Sequence, residues 1–182
     1  MAAIVKTAQR DDWAGQMGAR IAAVISNKAD AAGLEFARSH SIVTEVIDHK
    51  VYSSRAAFDE ALMQRIDCFA SSNSSVVVVL AGFMRILTPA FVAHYAGCLV
   101  NIHPSLLPAF AGLHTHQRAL DAGCKVAGAT VHLVTAELDH GPILAQAAVP
   151  IIAGDTADSL AARVLTQEHL IYPRAIAKLL QN

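Results

Sequence analysis

The sequence predicts an α/β fold, a doubly wound and mainly parallel sheet of Rossmann-like kind. Short apolar runs rich in Val and Ile recur along the first hundred residues, stretches with helical spacing separate them, and strand and helix therefore alternate. Continuous apolar strands joined by helical crossovers are buried on both faces, which is the condition for a parallel sheet. With 182 residues, 54% of them hydrophobic, the chain has material for one core, so a single domain over 1–182 is expected.

Residues 1–9 set Ile4 and Val5 among alanines before Arg10, Asp11 and Asp12 break the pattern, the profile of a short helix beginning at the first residue. Residues 21–25 form a β-branched run and predict a strand; 30–40, with Leu34 and Phe36, predict a helix; 42–47 return to strand. Ser53 or Ser54 caps a helix over 55–70 with Phe58, Leu62 and Ile66 on one stripe, and a serine-rich loop follows at 71–75. Residues 76–80 are a buried strand. Thr88 before Pro89 is an N-cap and first-turn pair for a helix to about Tyr95, and 98–102 is again a strand. A Pro-, Gly- and His-rich stretch at 104–116 precedes a short helix near 117–122, strands at 126–134 and 143–151, and a final helix from Thr156 that Pro173 is expected to kink or interrupt. A doubly wound sheet ordinarily opens on a strand and a glycine-rich turn; here the helix comes first and no G-x-G-x-x-G segment occurs, so the domain reads as lacking its first strand, truncated at the N-terminus.

Fourteen basic residues oppose fifteen acidic ones, and a net charge of −1 gives no electrostatic footprint for nucleic acid or an anionic membrane. Small-molecule partners are expected instead. The apolar run 76–84 stops at Arg85, too short to span a bilayer. Cys68, Cys98 and Cys124 are odd in number and widely spaced, which suits a reducing cytoplasm better than a disulfide framework. Nine histidines, among them His114, His116, His132 and His140, fall in no ligand spacing with a mechanism of its own, so no metal is expected.

The chemistry concentrates at the end of the strand before Pro104. Asn101 and His103 lie two apart, so an extended backbone points both to one side, and the prolines that follow turn the chain away. In an open α/β sheet that carboxyl edge is where ligands bind. An amide that stabilises an oxyanion beside an imidazole that moves a proton suits acyl transfer; the alternative is a pair that caps loop backbone. Asp139, in a turn closed by Gly141 and Pro142, can favour the charged form of a neighbouring imidazole, or can be ordinary turn chemistry. The segment Gly82-Phe-Met-Arg-Ile-Leu87 offers backbone groups to the edge of a flat heterocycle, or is a plain strand-to-helix loop.

The segments Leu80-Ala-Gly-Phe-Met-Arg-Ile-Leu87, Asn101-Ile-His-Pro-Ser-Leu-Leu-Pro108, Gly112-Leu-His-Thr-His116 and Glu137-Leu-Asp-His-Gly-Pro142 closely resemble the phosphoribosylglycinamide formyltransferase family, over nearly the whole chain. Ser26-Asn-Lys-Ala-Asp30 and Gln167-Glu-His-Leu-Ile-Tyr-Pro173 match it too. The resemblance implies the formyltransferase fold and formyl transfer from 10-formyltetrahydrofolate to glycinamide ribonucleotide in purine synthesis. It assigns the oxyanion to Asn101, general acid or electrostatic partner to His103, and a proton relay to Asp139. It also implies folate contacts from Arg55, from Met84, Arg85, Ile86 and Leu87, from Asn101, and from the turn Thr135, Ala136, Glu137, Leu138 and Asp139. Gln167 and Glu168 are implied on the substrate side, Glu168 toward the ribose hydroxyls. Two other readings stay open: a folate- or nucleotide-binding remnant with little catalysis, and formyltetrahydrofolate hydrolase, which usually has a histidine where Pro104 stands.

Overall fold

The computed structural model describes residues 1–70 and 76–181, so the serine-rich loop expected at 71–75 lies outside the described residues. In chain order the elements are α1 (Ala2–Arg10), α2 (Trp13–Met17), β1 (Ala23–Ser26), α3 (Ala32–Ser39), β2 (Val43–Val46), a 3-10 turn (His49–Val51), α4 (Arg55–Asp67), β3 (Val78–Val79), α5 (Pro89–His94), β4 (Leu99–His103), α6 (Thr115–Asp121), β5 (Val126–Leu133), β6 (Ile143–Pro150) and α7 (Ala157–Leu180). The mixed α/β class expected from the alternation is the one observed. Among the described residues, no helix is long and apolar enough to cross a membrane.

The chain forms two compact units, one made of Met1–Val77 with Met84–His94, the other of Val78–Phe83 with Tyr95–Asn182. In the first, β1 and β2 pair in parallel, Ala23 opposite Val43 and Ser26 opposite Val46, with α3 as their crossover. Parallel neighbours require such a connection, because a tight turn reverses the chain. Ile4 and Val5 of α1 are buried, as are Leu34 and Ala37 of α3. Ser54 caps α4 by accepting a hydrogen bond from Ala57 N–H (3.1 Å), and Phe58 and Leu62 bury one face of that helix. No local pattern in the sequence announced α2; a cap on Asp12, held in the left-handed region at φ 44°, starts it and the buried Trp13 anchors it.

In the second unit the strand order is β3-β4-β5-β6. β3 runs parallel to β4, whereas β4 to β5 and β5 to β6 are antiparallel. The parallel pairing thus belongs to strands joined across helices, and the hairpin of β5 and β6 closes the sheet. Beneath it Ala127, Ala129, Val149, Leu160 and Val164 form a buried core, joined by Ile102, Leu120, Ile151 and Ile171. The 24-residue α7 starts in a capping box, Thr156 and Ser159 exchanging side-chain and backbone bonds. Of the kink or interruption expected at Pro173, the interruption does not occur, and the helix continues through it. The ring is buried and its neighbours Tyr172, Ala175 and Ile176 are buried with it, so packing on the sheet offsets the one backbone donor a proline removes.

Candidate active site

β4 ends in Asn101, Ile102 and His103, and its antiparallel register sets Asn101 opposite His132 and His103 opposite Thr130. Directly opposed residues of an antiparallel pair share a face, so one face of this pair carries all four side chains. Three of the four are closed to solvent: the His103 side chain is 8% exposed, that of His132 2%, and Thr130 is fully buried. Thr130 braces the turn that leaves β4. Its Oγ1 donates to the Ser105 carbonyl (2.7 Å) and accepts from Leu107 N–H (3.0 Å) and from Gln146 Nε2 (2.9 Å).

The loop after β4 and the turn after β5 supply the remaining groups. Phe110, in the left-handed region at φ 56°, aims its carbonyl at His103, and Nε2 donates to it at 3.0 Å. Asp139, also left-handed at φ 57°, places Oδ2 3.4 Å from His103 Nδ1 and Oδ1 3.9 Å from His132 Nε2. The same Oδ2 accepts from Gly112 N–H at 2.9 Å, which joins the two loops across the ring. His103 therefore has an acceptor at each nitrogen, and it can donate to both only as an imidazolium.

Asn101 is half-buried and its Nδ2 lies 3.5 Å from His132 Nε2. Burial pushes the His132 imidazole below its ordinary value, with the Leu133 carbonyl and Asp139 acting the other way. Glu168 on α7 is raised by burial and lowered by His103, which brings it within electrostatic reach of the ring. Gln167 beside it is half-buried. In the turn that carries Asp139, Thr135, Ala136, Glu137 and Leu138 are exposed, Leu138 by 60%.

The remaining residues assigned from sequence belong to the first unit. Arg55 is exposed at the first position of α4. Met84 and Ile86 are 79% and 66% exposed, while Arg85 and Leu87 are half-buried. α4 positions this segment at two points: the buried Asp59 accepts from Thr88 N–H (2.7 Å), and the Arg85 guanidinium lies over the Phe58 ring at 5.3 Å. A plain solvated Arg85 is thereby replaced by one seated on an aromatic face. The structure brings Asn101, His103, Asp139 and Glu168 together. It adds two partners the sequence reading did not assign to the site, His132 and the loop backbone at Phe110 and Gly112. His132 had a signal, a histidine on the strand before the Asp139 turn, but its register against Asn101 is a tertiary fact.

Comparison with known proteins follows the same lines. A family model described as formyl transferase matches residues 1–176. The phosphoribosylglycinamide formyltransferase of Escherichia coli (strain K12) is 56% identical over 157 residues, covering 86% of this chain and 72% of that protein. The human trifunctional purine biosynthetic protein adenosine-3 is 48% identical over 158 residues, 87% of this chain but 15% of that longer protein. Among solved structures, a phosphoribosylglycinamide formyltransferase from Brucella melitensis superposes with a TM-score of 0.88 at 50% identity, covering 100% of this chain and 90% of that one. The glycinamide ribonucleotide transformylase 1 of Symbiobacterium toebii gives 0.90 at 44% identity, covering 99% and 81%.

Proposed function

The chain belongs to the formyl transferase family, and on that footing we propose that it transfers a formyl group from 10-formyltetrahydrofolate to the amine of glycinamide ribonucleotide, a step of purine biosynthesis carried out in the cytoplasm. The observation that carries the reading is the convergence of the Asn101 amide, the His103 imidazole and the Asp139 carboxylate at the carboxyl end of β4. Attack of an amine on a formyl carbon drives charge onto the formyl oxygen, and a donor held in a dry site stabilises that charge before it forms. Asn101 Nδ2 is that donor. His103 supplies a proton to the departing folate nitrogen, and Asp139 receives, through water, the proton lost by the attacking amine. The bond formed is from the amine nitrogen to the formyl carbon; the bond broken is from that carbon to N10 of the folate.

Arg55, Met84, Arg85, Ile86 and Leu87, with Thr135, Ala136, Glu137 and Leu138, would hold the folate. In the first unit the exposed Met84 and Ile86 side chains offer apolar surface to a flat partner, and in the second unit the exposed Leu138 does the same. Glu168 would take the ribose hydroxyls, with Gln167 beside it. The family model spans both compact units, which supports reading residues 1–176 as one functional domain. The test is a transfer assay with both substrates, following formylated nucleotide and tetrahydrofolate together. Equal amounts of the two support the reading. Formate released without the amine would make the chain a hydrolase, and folate binding without either product would make it a binding protein.

A further inference from the structure

We propose that His132 is a positioning residue: a neutral imidazole whose Nε2 accepts from Asn101 and thereby fixes which way the Asn101 amide faces. The proposal rests on the formyl-transfer reading for its kinetic consequence and on the geometry alone for its structural content. His132 Nδ1 lies 3.0 Å from the Leu133 carbonyl oxygen, an acceptor only, so Nδ1 carries a hydrogen. In a neutral ring the other nitrogen is then a lone pair. That lone pair stands 3.5 Å from Asn101 Nδ2, and of the two ends of the Asn101 amide only the N–H end can donate to it.

The alternative orientation of Asn101, with its oxygen toward His132, would set two acceptors against each other in a place where the His132 side chain is 2% exposed. An amide nitrogen has two hydrogens. One is taken by His132, and the second is left to meet the charge that develops on the formyl oxygen. The groups facing the ring agree with a neutral state: Asp139 Oδ1 at 3.9 Å is outside hydrogen-bond range, and burial is the leading influence on His132, lowering its proton affinity.

Two variants separate acceptor from bulk. His132→Phe keeps a flat ring without an acceptor, and His132→Gln keeps an acceptor without the ring. We expect kcat to fall about tenfold or more in His132→Phe with KM for both substrates within about twofold, because a misaligned oxyanion donor is lost only in the transition state. His132→Gln should recover a clear part of that loss. A folded His132→Phe with unchanged kcat, or a His132→Gln as slow as His132→Phe, would overturn the proposal. Should His132→Phe not fold, long-range proton–nitrogen NMR on the unsubstituted protein decides: a neutral ring protonated at Nδ1 is expected at neutral pH, and protonation at Nε2 defeats the idea. Absence of transfer by the unsubstituted chain would strike only the functional reading, since the ring's tautomer is read without turnover.

Discussion

Asp139 adopts a left-handed backbone at φ 57°, a conformation that costs a non-glycine residue and that Asp tolerates better than most. Its carboxylate contacts both His103 and the Gly112 N–H, so its conformation sets the distance between the two loops and the ring. Asp139→Asn keeps the shape and removes the charge; kcat should fall by about a hundredfold and its pH profile change form. A full rate with an unaltered profile would confine Asp139 to turn structure. Asn101→Ala or His103→Ala should reduce transfer below detection in a protein that still folds, checked by the same assay beside circular dichroism. His132 gives a stability prediction with a definite sign. Burial lowers its folded-state proton affinity, so on acidification the unfolded chain binds this proton first, near pH 6.5, and stability is lost as pH falls below about 6.5. Thermal melts at about pH 7 and pH 5.5 should show a larger drop in Tm for the unsubstituted chain than for His132→Gln; equal drops would mean that His132 does not titrate as described.

At the level of elements, what the sequence made legible was local. Ser54 and Thr156 are caps, Thr88 and Pro89 open α5, and the apolar stripe of α4 buries Phe58 and Leu62, because each follows from a neighbour three or four residues away. Asn101 and His103 were legible for the same reason, since period two alone puts them on one side. The antiparallel setting of β5 against β4 was not legible: it depends on which strand the 126–133 run pairs with, and so His132 stayed among the unassigned histidines. No interruption occurs at Pro173 because propensity is local while α7 is held by its packing. The turn between β5 and β6 offers the element-scale test. Leu133 N–H donates to the Pro142 carbonyl (2.9 Å), and a Cβ on Gly141 would meet the Leu133 oxygen at 1.7 Å, which the backbone can relieve only by moving. Gly141→Ala should therefore destabilise by about 1–3 kcal/mol. Because Asp139 lies two residues away, kcat should fall more than KM rises. A variant with unchanged Tm and kcat would mean that the hairpin tolerates the displacement and that Asp139 is positioned from elsewhere.

For the whole molecule, the governing feature is that neither compact unit is one continuous stretch of chain. Residues 78–83 belong to the second unit but are flanked on both sides by segments of the first, and 84–94 belong to the first. β3 therefore hangs by both ends from the first unit while pairing with β4, Val78 opposite Leu99 and Val79 opposite Val100. Tyr172 on α7 secures the same place, its hydroxyl lying 2.7 Å from the Leu80 carbonyl and 3.0 Å from that of Val100, and burial raises the phenol so that it stays a donor. Melting of the first unit frees both ends of β3 and melting of the second removes its partner, so each unit's disorder is felt through the shared chain. The expected outcome is one cooperative transition. Trp13, the single tryptophan, is 4% exposed in the first unit and reports its unfolding by fluorescence, while the Asn101, His103 and Asp139 group in the second reports through residual transfer activity. The two curves should coincide against temperature or denaturant. Tyr172→Phe should shift both together to lower temperature by several degrees, the equivalent of about 1 kcal/mol for one lost hydrogen bond. If activity were lost well before the Trp13 signal moved, the units would unfold independently and the interleaving of the chain would carry no cooperativity.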